Sequence, residues 1–133
     1  MNNGCSALYA ASLNGHYKIV GLLLEKGADA NAKKNNRYSS LYVASEKGHY
    51  AVVMLLIKQS GSINYNDLSS SLIIAVKNGH LNVVHYLIEQ GVNFNIKNNK
   101  GNPLNIIAKE KGHTNIVNLL IEAKKKTNAK FNV

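Results

Sequence analysis

The chain has 133 residues, one Cys, one Pro, no Trp and a formal net charge of +9, which is the length of one ordinary domain. A hydrophobic fraction of 45% against a charged fraction of 17% separates it from disordered chains. The single Cys excludes an internal disulfide framework, and no apolar run reaches the ~18–20 residues of a membrane span. Residues 1–13 lack the basic start and long apolar stretch of a secretory signal. The expected compartment is therefore a reducing cytoplasm, a host's if the source is an intracellular organism.

Along the chain, the dipeptide Gly-His recurs at Gly15-His16, Gly48-His49, Gly79-His80 and Gly112-His113, at spacings of 33, 31 and 33 residues. Each pair has an Ala four residues before its Gly (Ala11, Ala44, Ala75, Ala108). Each is followed by a β-branched pair: Ile19-Val20, Val52-Val53, Val83-Val84 and Ile116-Val117. Four matching registers define four units, each of which reads as two short helices. Ser6, Ser39 and Ser70 stand where an N-cap hydroxyl would satisfy an orphan amide of the first helix. The recurrent Gly can take the left-handed conformation that ends that helix. The second helix starts near His16 and its equivalents, with apolar residues at i, i+1 and i+4 (Ile19, Val20, Leu23) forming one buried stripe. Gly27, Ser60-Gly61 and Gly91 end it in the first three units, while Ala123-Lys124 leave the last helix free to run on. Between units lie the Asn-rich segments Asn31 to Tyr38, Asn64 to Ser69 and Asn95 to Asn102, each expected to form a hairpin-type turn.

The residues Ser6-Ala7-Leu8-Tyr9-Ala10-Ala11, Gly15-His16, Leu22-Leu23-Leu24 and Gly27-Ala28-Asp29-Ala30-Asn31, with Ser39-Ser40-Leu41-Tyr42-Val43-Ala44 and Gly48-His49 in the second unit, resemble the ankyrin repeat family at its characteristic period. The resemblance implies an all-α solenoid of four helix-turn-helix repeats with β-hairpin-like finger loops. It is a single domain over residues 1–133, with repeats near 1–33, 34–64, 65–97 and 98–126 and a basic tail over 124–133. It also implies a non-catalytic protein-interaction module without a cofactor. Three departures stand out. The family's Thr-Pro-Leu-His start becomes Ser-Ala-Leu-Tyr at Ser6 to Tyr9, Ser-Ser-Leu-Tyr at Ser39 to Tyr42 and Ser-Ser-Leu-Ile at Ser70 to Ile73, so that His and its bonds between units are expected to be missing. In the fourth unit Asn105 falls at the Leu position, so a bulge is expected, or Leu104 swinging in. The linker before the third unit is two residues short, so its finger, Tyr65 to Ser69, should be stubby.

Catalysis finds little support. The histidines of the four Gly-His pairs recur once per unit, about 10 Å apart if the units pack as helices do, too far apart to converge on one zinc ion. They read as helix-starting, packing residues, and His85 as a solvated one. Cys5 has no orienting base or oxyanion hole prescribed around it, and Gly15, Gly27 and Gly48 are single terminators rather than a phosphate loop. Glu25, Glu46, Glu89, Glu110 and Glu122 are expected on exposed helix faces.

By resemblance, a partner would bind the face made by the finger tips and first helices. Carried over by position, its finger residues are Asn2, Asn3, Cys5, Asn35, Asn36, Arg37, Tyr38, Tyr65, Asn66, Ser69, Asn99, Lys100 and Asn102. The first helices add Leu13, Asn14, Glu46, Lys47, Lys77, Asn78, Glu110 and Lys111. Arg37, Tyr38 and Tyr65 are the expected anchors, because interface energy concentrates in Tyr and Arg. Asn35, Asn36, Asn14, Glu46, Lys47, Lys77 and Asn78 complete the principal set. The alternative is an electrostatic binder of nucleic acid or another acidic surface, with Lys33, Lys34 and Arg37 able to grip an acidic partner, while Lys124 to Lys126 and Lys130 in the tail favour the last helix's negative end. Asn, Lys, Ile and Tyr are abundant together, as AT-rich coding makes them, and Glu46, Asp67 and Glu110 interrupt any basic stripe. Nucleic acid is accordingly disfavoured. The first unit begins without a separate polar cap, which fits a self-capped minimal protein or a piece of a longer array; a monomer is expected, with a dimer through that uncapped face as the alternative state.

Overall fold

The computed structural model describes residues 3–34, 38–59 and 63–131. In chain order the described elements are α1 (Asn3–Leu13), α2 (Tyr17–Glu25), β1 (Lys33–Lys34), β2 (Tyr38–Ser39), α3 (Ser40–Lys47), α4 (Tyr50–Gln59), α5 (Tyr65–Asn78), α6 (Leu81–Glu89), α7 (Leu104–Glu110) and α8 (Thr114–Phe131). Each odd-numbered helix packs on the even-numbered helix that follows it. The odd helices also pack on one another in sequence, as do the even ones. The result is a two-layer stack, an all-α solenoid with an inner row (α1, α3, α5, α7) and an outer row (α2, α4, α6, α8).

One small set of residues builds each layer contact. Leu8, Leu41, Leu72 and Leu104 are buried in the inner row, beside Ala11, Ala44, Ala75 and Ala108, whose small side chains let neighbouring helices approach closely. Val20, Val53 and Val84, with Leu56, Leu87 and Leu120, close the seam from the outer row. Each such Leu or Val removed from water stabilises the fold by roughly 1.5–3 kcal/mol, before the entropy of ordering is set against it. No unit could bury its own stripe alone. Val52, Val83 and Ile116 are at most 1% exposed because the preceding unit covers them. Their first-unit counterpart Ile19 is 50% exposed.

The helix ends follow partly from the sequence and partly against it. Ser39 caps α3 as expected, its hydroxyl accepting a hydrogen bond from the Tyr42 amide at 3.1 Å. Ser6 and Ser70 are not caps, because α1 begins at Asn3 and α5 at Tyr65, which places both serines inside helices. The stubby second finger is likewise replaced. Its residues Tyr65 to Ser69 form the opening turns of the 14-residue α5. Asn64 caps that helix, its side-chain oxygen accepting from the Asn66 amide at 2.8 Å. Asp67 lies in the first turn, where a carboxylate favours the positive end of the helix. The shortened linker has too few residues for two strands and a tip, and one more helical turn bridges the interval while satisfying its own amides.

The other two fingers keep hairpin character. β1 and β2 pair antiparallel with Lys33 opposite Ser39 and Lys34 opposite Tyr38; residues 35–37 at the tip lie outside the described residues. In the last finger an antiparallel bridge joins Lys97 to Pro103. In the fourth unit Leu104 is the residue that turns inward, buried beside Ile107 and Ala108, while Asn105 is exposed. A position four before the Ala shares a helical face with it as well as a position three before does, so the insertion is absorbed without a bulge. α8 runs on through the basic segment to Phe131.

Candidate functional site

The corner between the two helices of each unit is built identically four times. Gly15, Gly48, Gly79 and Gly112 have φ between 73° and 78°, a region costly for any residue with a Cβ. The following His amide donates back to the carbonyl of Ala11, Ala44, Ala75 or Ala108 at 2.8–3.0 Å, the bond that closes a Schellman cap. The His ring then leans onto the unit before it. His49 Nε2 donates to the Leu13 carbonyl (3.0 Å), His80 to Glu46 (2.8 Å) and His113 to Lys77 (2.9 Å). A polar bond thus crosses every joint between units, made by the Gly-His histidine in place of the missing Thr-Pro-Leu-His one. The ring also lies directly over the preceding glycine. A Cβ built on Gly48 would stand 2.5 Å from His80 Nδ1. Among the described residues, no three His, Cys, Asp or Glu side chains gather as a metal ion would require.

The opposite side of the inner row is not repetitive. The residue after each buried Leu faces outward along it: Tyr9, Tyr42, then Ile73. Tyr38, 41% exposed on the finger, stacks on Tyr42 with ring centroids 5.0 Å apart. Burial first, then the Glu46 carboxylate and Tyr38, hold the hydroxyls of Tyr9 and Tyr42 above the ordinary tyrosine pKa of 10.0. The first and second units therefore present an aromatic surface around one carboxylate. Beyond Tyr42 a groove of ≈470 Å³ opens across α3, α5, α7 and the last finger. Ile73, Ile74 and Ile107 supply apolar lining, and Lys77, Lys100, Lys111 and Glu110 supply charge. Ser70, Asn98, Asn99 and Asn102 complete it. The finger is braced from within: Asn98 Oδ1 accepts from the amides of Lys100 (3.0 Å) and Asn102 (2.9 Å). A second, shallower cleft of ≈560 Å³ adjoins it at the corners, lined by Glu46, Lys47, Lys77, Asn78, His80, Lys111 and His113. Lys77 and Lys111 border both.

A family model for ankyrin repeats, three copies of the unit, matches residues 1–69 and again 41–131. The chain belongs to the ankyrin repeat family. Ankyrin repeats are in general protein–protein interaction modules, and the family is typically without catalytic activity. No curated protein matches the sequence significantly. Among the described residues, no helix is long and apolar enough to cross a membrane.

The ankyrin stack gathers only some of the residues expected at its binding face. Glu46, Lys47, Lys77 and Asn78 come together at the corner cleft, and Lys77, Asn99, Lys100, Asn102, Glu110 and Lys111 at the groove. Glu46 is half-buried rather than exposed, and its carbonyl accepts from both Asn78 Nδ2 (3.0 Å) and His80 Nε2. Asn14 lies apart, its side-chain amide donating to Ala10 of its own helix at 2.9 Å. Tyr65 is 55% exposed at the start of α5. Asn35, Asn36, Arg37 and Asn2 lie outside the described residues, as do the side chains of Asn3 and Cys5. Lys33, expected to grip a partner, is committed within the fold: its Nζ lies 3.3 Å from the buried Asp67. His85 is exposed as expected and lies 3.4 Å from Glu89. Sequence reasoning missed Tyr42, Ile73 and Ile74. The signal was present, since Tyr42 and Ile73 occupy the motif position that lost its His, and a position next to a buried Leu must point away from the core.

Proposed function

We propose that this ankyrin-repeat protein is a non-catalytic binding module that holds a partner protein along its inner row, with the groove between α3, α5, α7 and the 97–103 finger as the centre of the contact. The observation that carries this reading is the convergence of side chains from three successive units and one braced finger on a single groove with an apolar lining and a charged rim, the usual composition of an interface centre and its edge. Glu46, Lys47 and Asn78 extend the contact around the corner cleft. Tyr38 and Tyr65 supply its margin, while Asn14 lies apart from it and Asn35, Asn36 and Arg37 lie outside the described residues. Repetition keeps the scaffold stiff, so recognition needs little rearrangement on binding.

The test compares affinity capture from the native cell by the wild-type chain, by Ile74→Asp, and by His85→Ala on the exposed outer row, each followed by mass spectrometry. A partner retained by His85→Ala and lost by Ile74→Asp supports the groove. A partner lost by His85→Ala and retained by Ile74→Asp would move the interface to the outer row. Circular dichroism and melting curves keep either loss from being read as unfolding.

A further inference from the structure

The geometry points to the chemical class of the partner: an acidic peptide segment, with an apolar side chain set among its carboxylates, fits the groove. This inference rests on the groove being the binding site and adds what it selects.

Three cations rim the groove, Lys77 on α5, Lys100 on the finger and Lys111 at the corner after α7, against one carboxylate, Glu110. Among the described residues two other lysines are paired with carboxylates. Lys33 meets Asp67, and Lys125 lies 3.6 Å from Glu122. Among the described residues Lys77, Lys100 and Lys111 have no carboxylate within that reach. The groove therefore offers more positive than negative charge, with its three lysines in no ion pair among the described residues, and complementary charge sets specificity and association rate. The cations are also spread over three elements. Lys77 and Lys111 follow one another along the inner row, while Lys100 stands across from them on a finger fixed by the Asn98 bonds. Between these positions Ile73, Ile74 and Tyr42 give an apolar lining on which one aliphatic or aromatic side chain would leave water. Carboxylates to either side of that side chain would then meet lysines.

Nucleic acid fits less well. A phosphate backbone would face Glu110 in the groove and Glu46 in the adjoining cleft. The lining is mainly aliphatic rather than a stacking platform, and its one aromatic ring, Tyr42, is already stacked on Tyr38. A volume of ≈470 Å³ accommodates a few side chains of a peptide rather than a duplex.

The experiment displays random dodecapeptides on phage, selects them against the immobilised full chain, and measures the enriched peptides by fluorescence anisotropy beside a random-sequence 12-base-pair DNA duplex. The proposal expects enriched peptides of net negative charge that carry an apolar residue. Their affinity should fall about tenfold or more in Lys77→Glu with Lys111→Glu, fall less in Lys77→Gln with Lys111→Gln, and weaken with added salt. All of these changes are at exposed side chains and should leave the melting curve in place. Basic or neutral peptides that lose binding in Ile74→Asp would overturn the acidic class while leaving the groove as the site. Peptides indifferent to Ile74→Asp and to both lysine pairs would overturn the groove itself. Failure to enrich any peptide overturns the proposal, and so does tighter binding of the duplex than of every peptide.

Discussion

The glycine–histidine corners and the inner groove lie within one side chain of each other, at Lys77 and Lys111, yet obey opposite rules. At the corners, the same Gly, the same Ala and the same His recur in every unit, and each His after the first reaches the unit before it. Along the inner row that forms the groove, the position after the buried Leu changes from Tyr9 and Tyr42 to Ile73, and the residue two before the Gly changes from Glu46 to Lys77 to Glu110. Positions that hold neighbours together are constrained by the neighbour's identical geometry. Positions that face outward have no such partner inside the chain and are free to differ. The difference separates what assembles the stack from what it can recognise.

The comparison is broken most forcefully at the corner. Gly48→Ala should destabilise by about 2–4 kcal/mol in urea unfolding, combining left-handed strain of roughly 1–2 kcal/mol with the collision against His80. Gly112 has the same backbone angle and nothing within 4 Å of the added carbon. Gly112→Ala should therefore show only the strain, about 1–2 kcal/mol. In a His80→Ala background the penalty at Gly48 should shrink toward that of Gly112. Equal losses at the two glycines, unchanged by removing the ring, would show that the histidine does not weld the joint.

A smaller effect is expected at the join between the first finger and α5. Lys33→Met leaves Asp67 buried without its cation, and because Lys33 itself is partly solvated the cost should be about 1–2 kcal/mol. Loss of less than ~0.5 kcal/mol, the range of ordinary surface changes, would mean that the pair contributes nothing and that α5 starts at Tyr65 for local reasons alone.

The smallest effect distinguishes the layers by pH. Tyr86, in the outer row, is buried with its hydroxyl unpartnered among the described residues, and lies edge-on to Tyr50 at 5.8 Å. Burial, then Tyr50, raise its pKa above 10.0. A raised folded-state value means that the unfolded chain releases the proton first. The contribution is complete below pH 10 and is lost as pH rises from there through the folded value. Melting temperature should decline above pH 10, and less steeply in Tyr86→Phe, which should cost almost nothing at pH 7 because it removes an unsatisfied hydroxyl. An unchanged alkaline slope would assign that loss to Tyr9 and Tyr42 on the inner row.

Much of the stack is legible from single residues. Gly48 between two apolar runs can end a helix because of its backbone freedom, and Ser39 can start that same helix because its short hydroxyl reaches the amide three residues on. What was illegible involves partners distant in sequence. Where the second finger is replaced by helix, Asp67 in the first turn of α5 is paired with Lys33 from the preceding finger, 34 positions earlier. Leu104 replaces Asn105 because the space to be filled is defined by α5 of the preceding unit as well as by α8 of its own.

By itself the sequence determined the period, the family and the two-layer order of helices, because repeated local preferences for capping, left-handed glycine and apolar spacing need no distant information. Only the tertiary structure decided which lysines are used up inside the fold and which rim a groove. Electrostatic pairing depends on distances of a few ångströms between residues about thirty positions apart, and those distances exist only after the units have stacked.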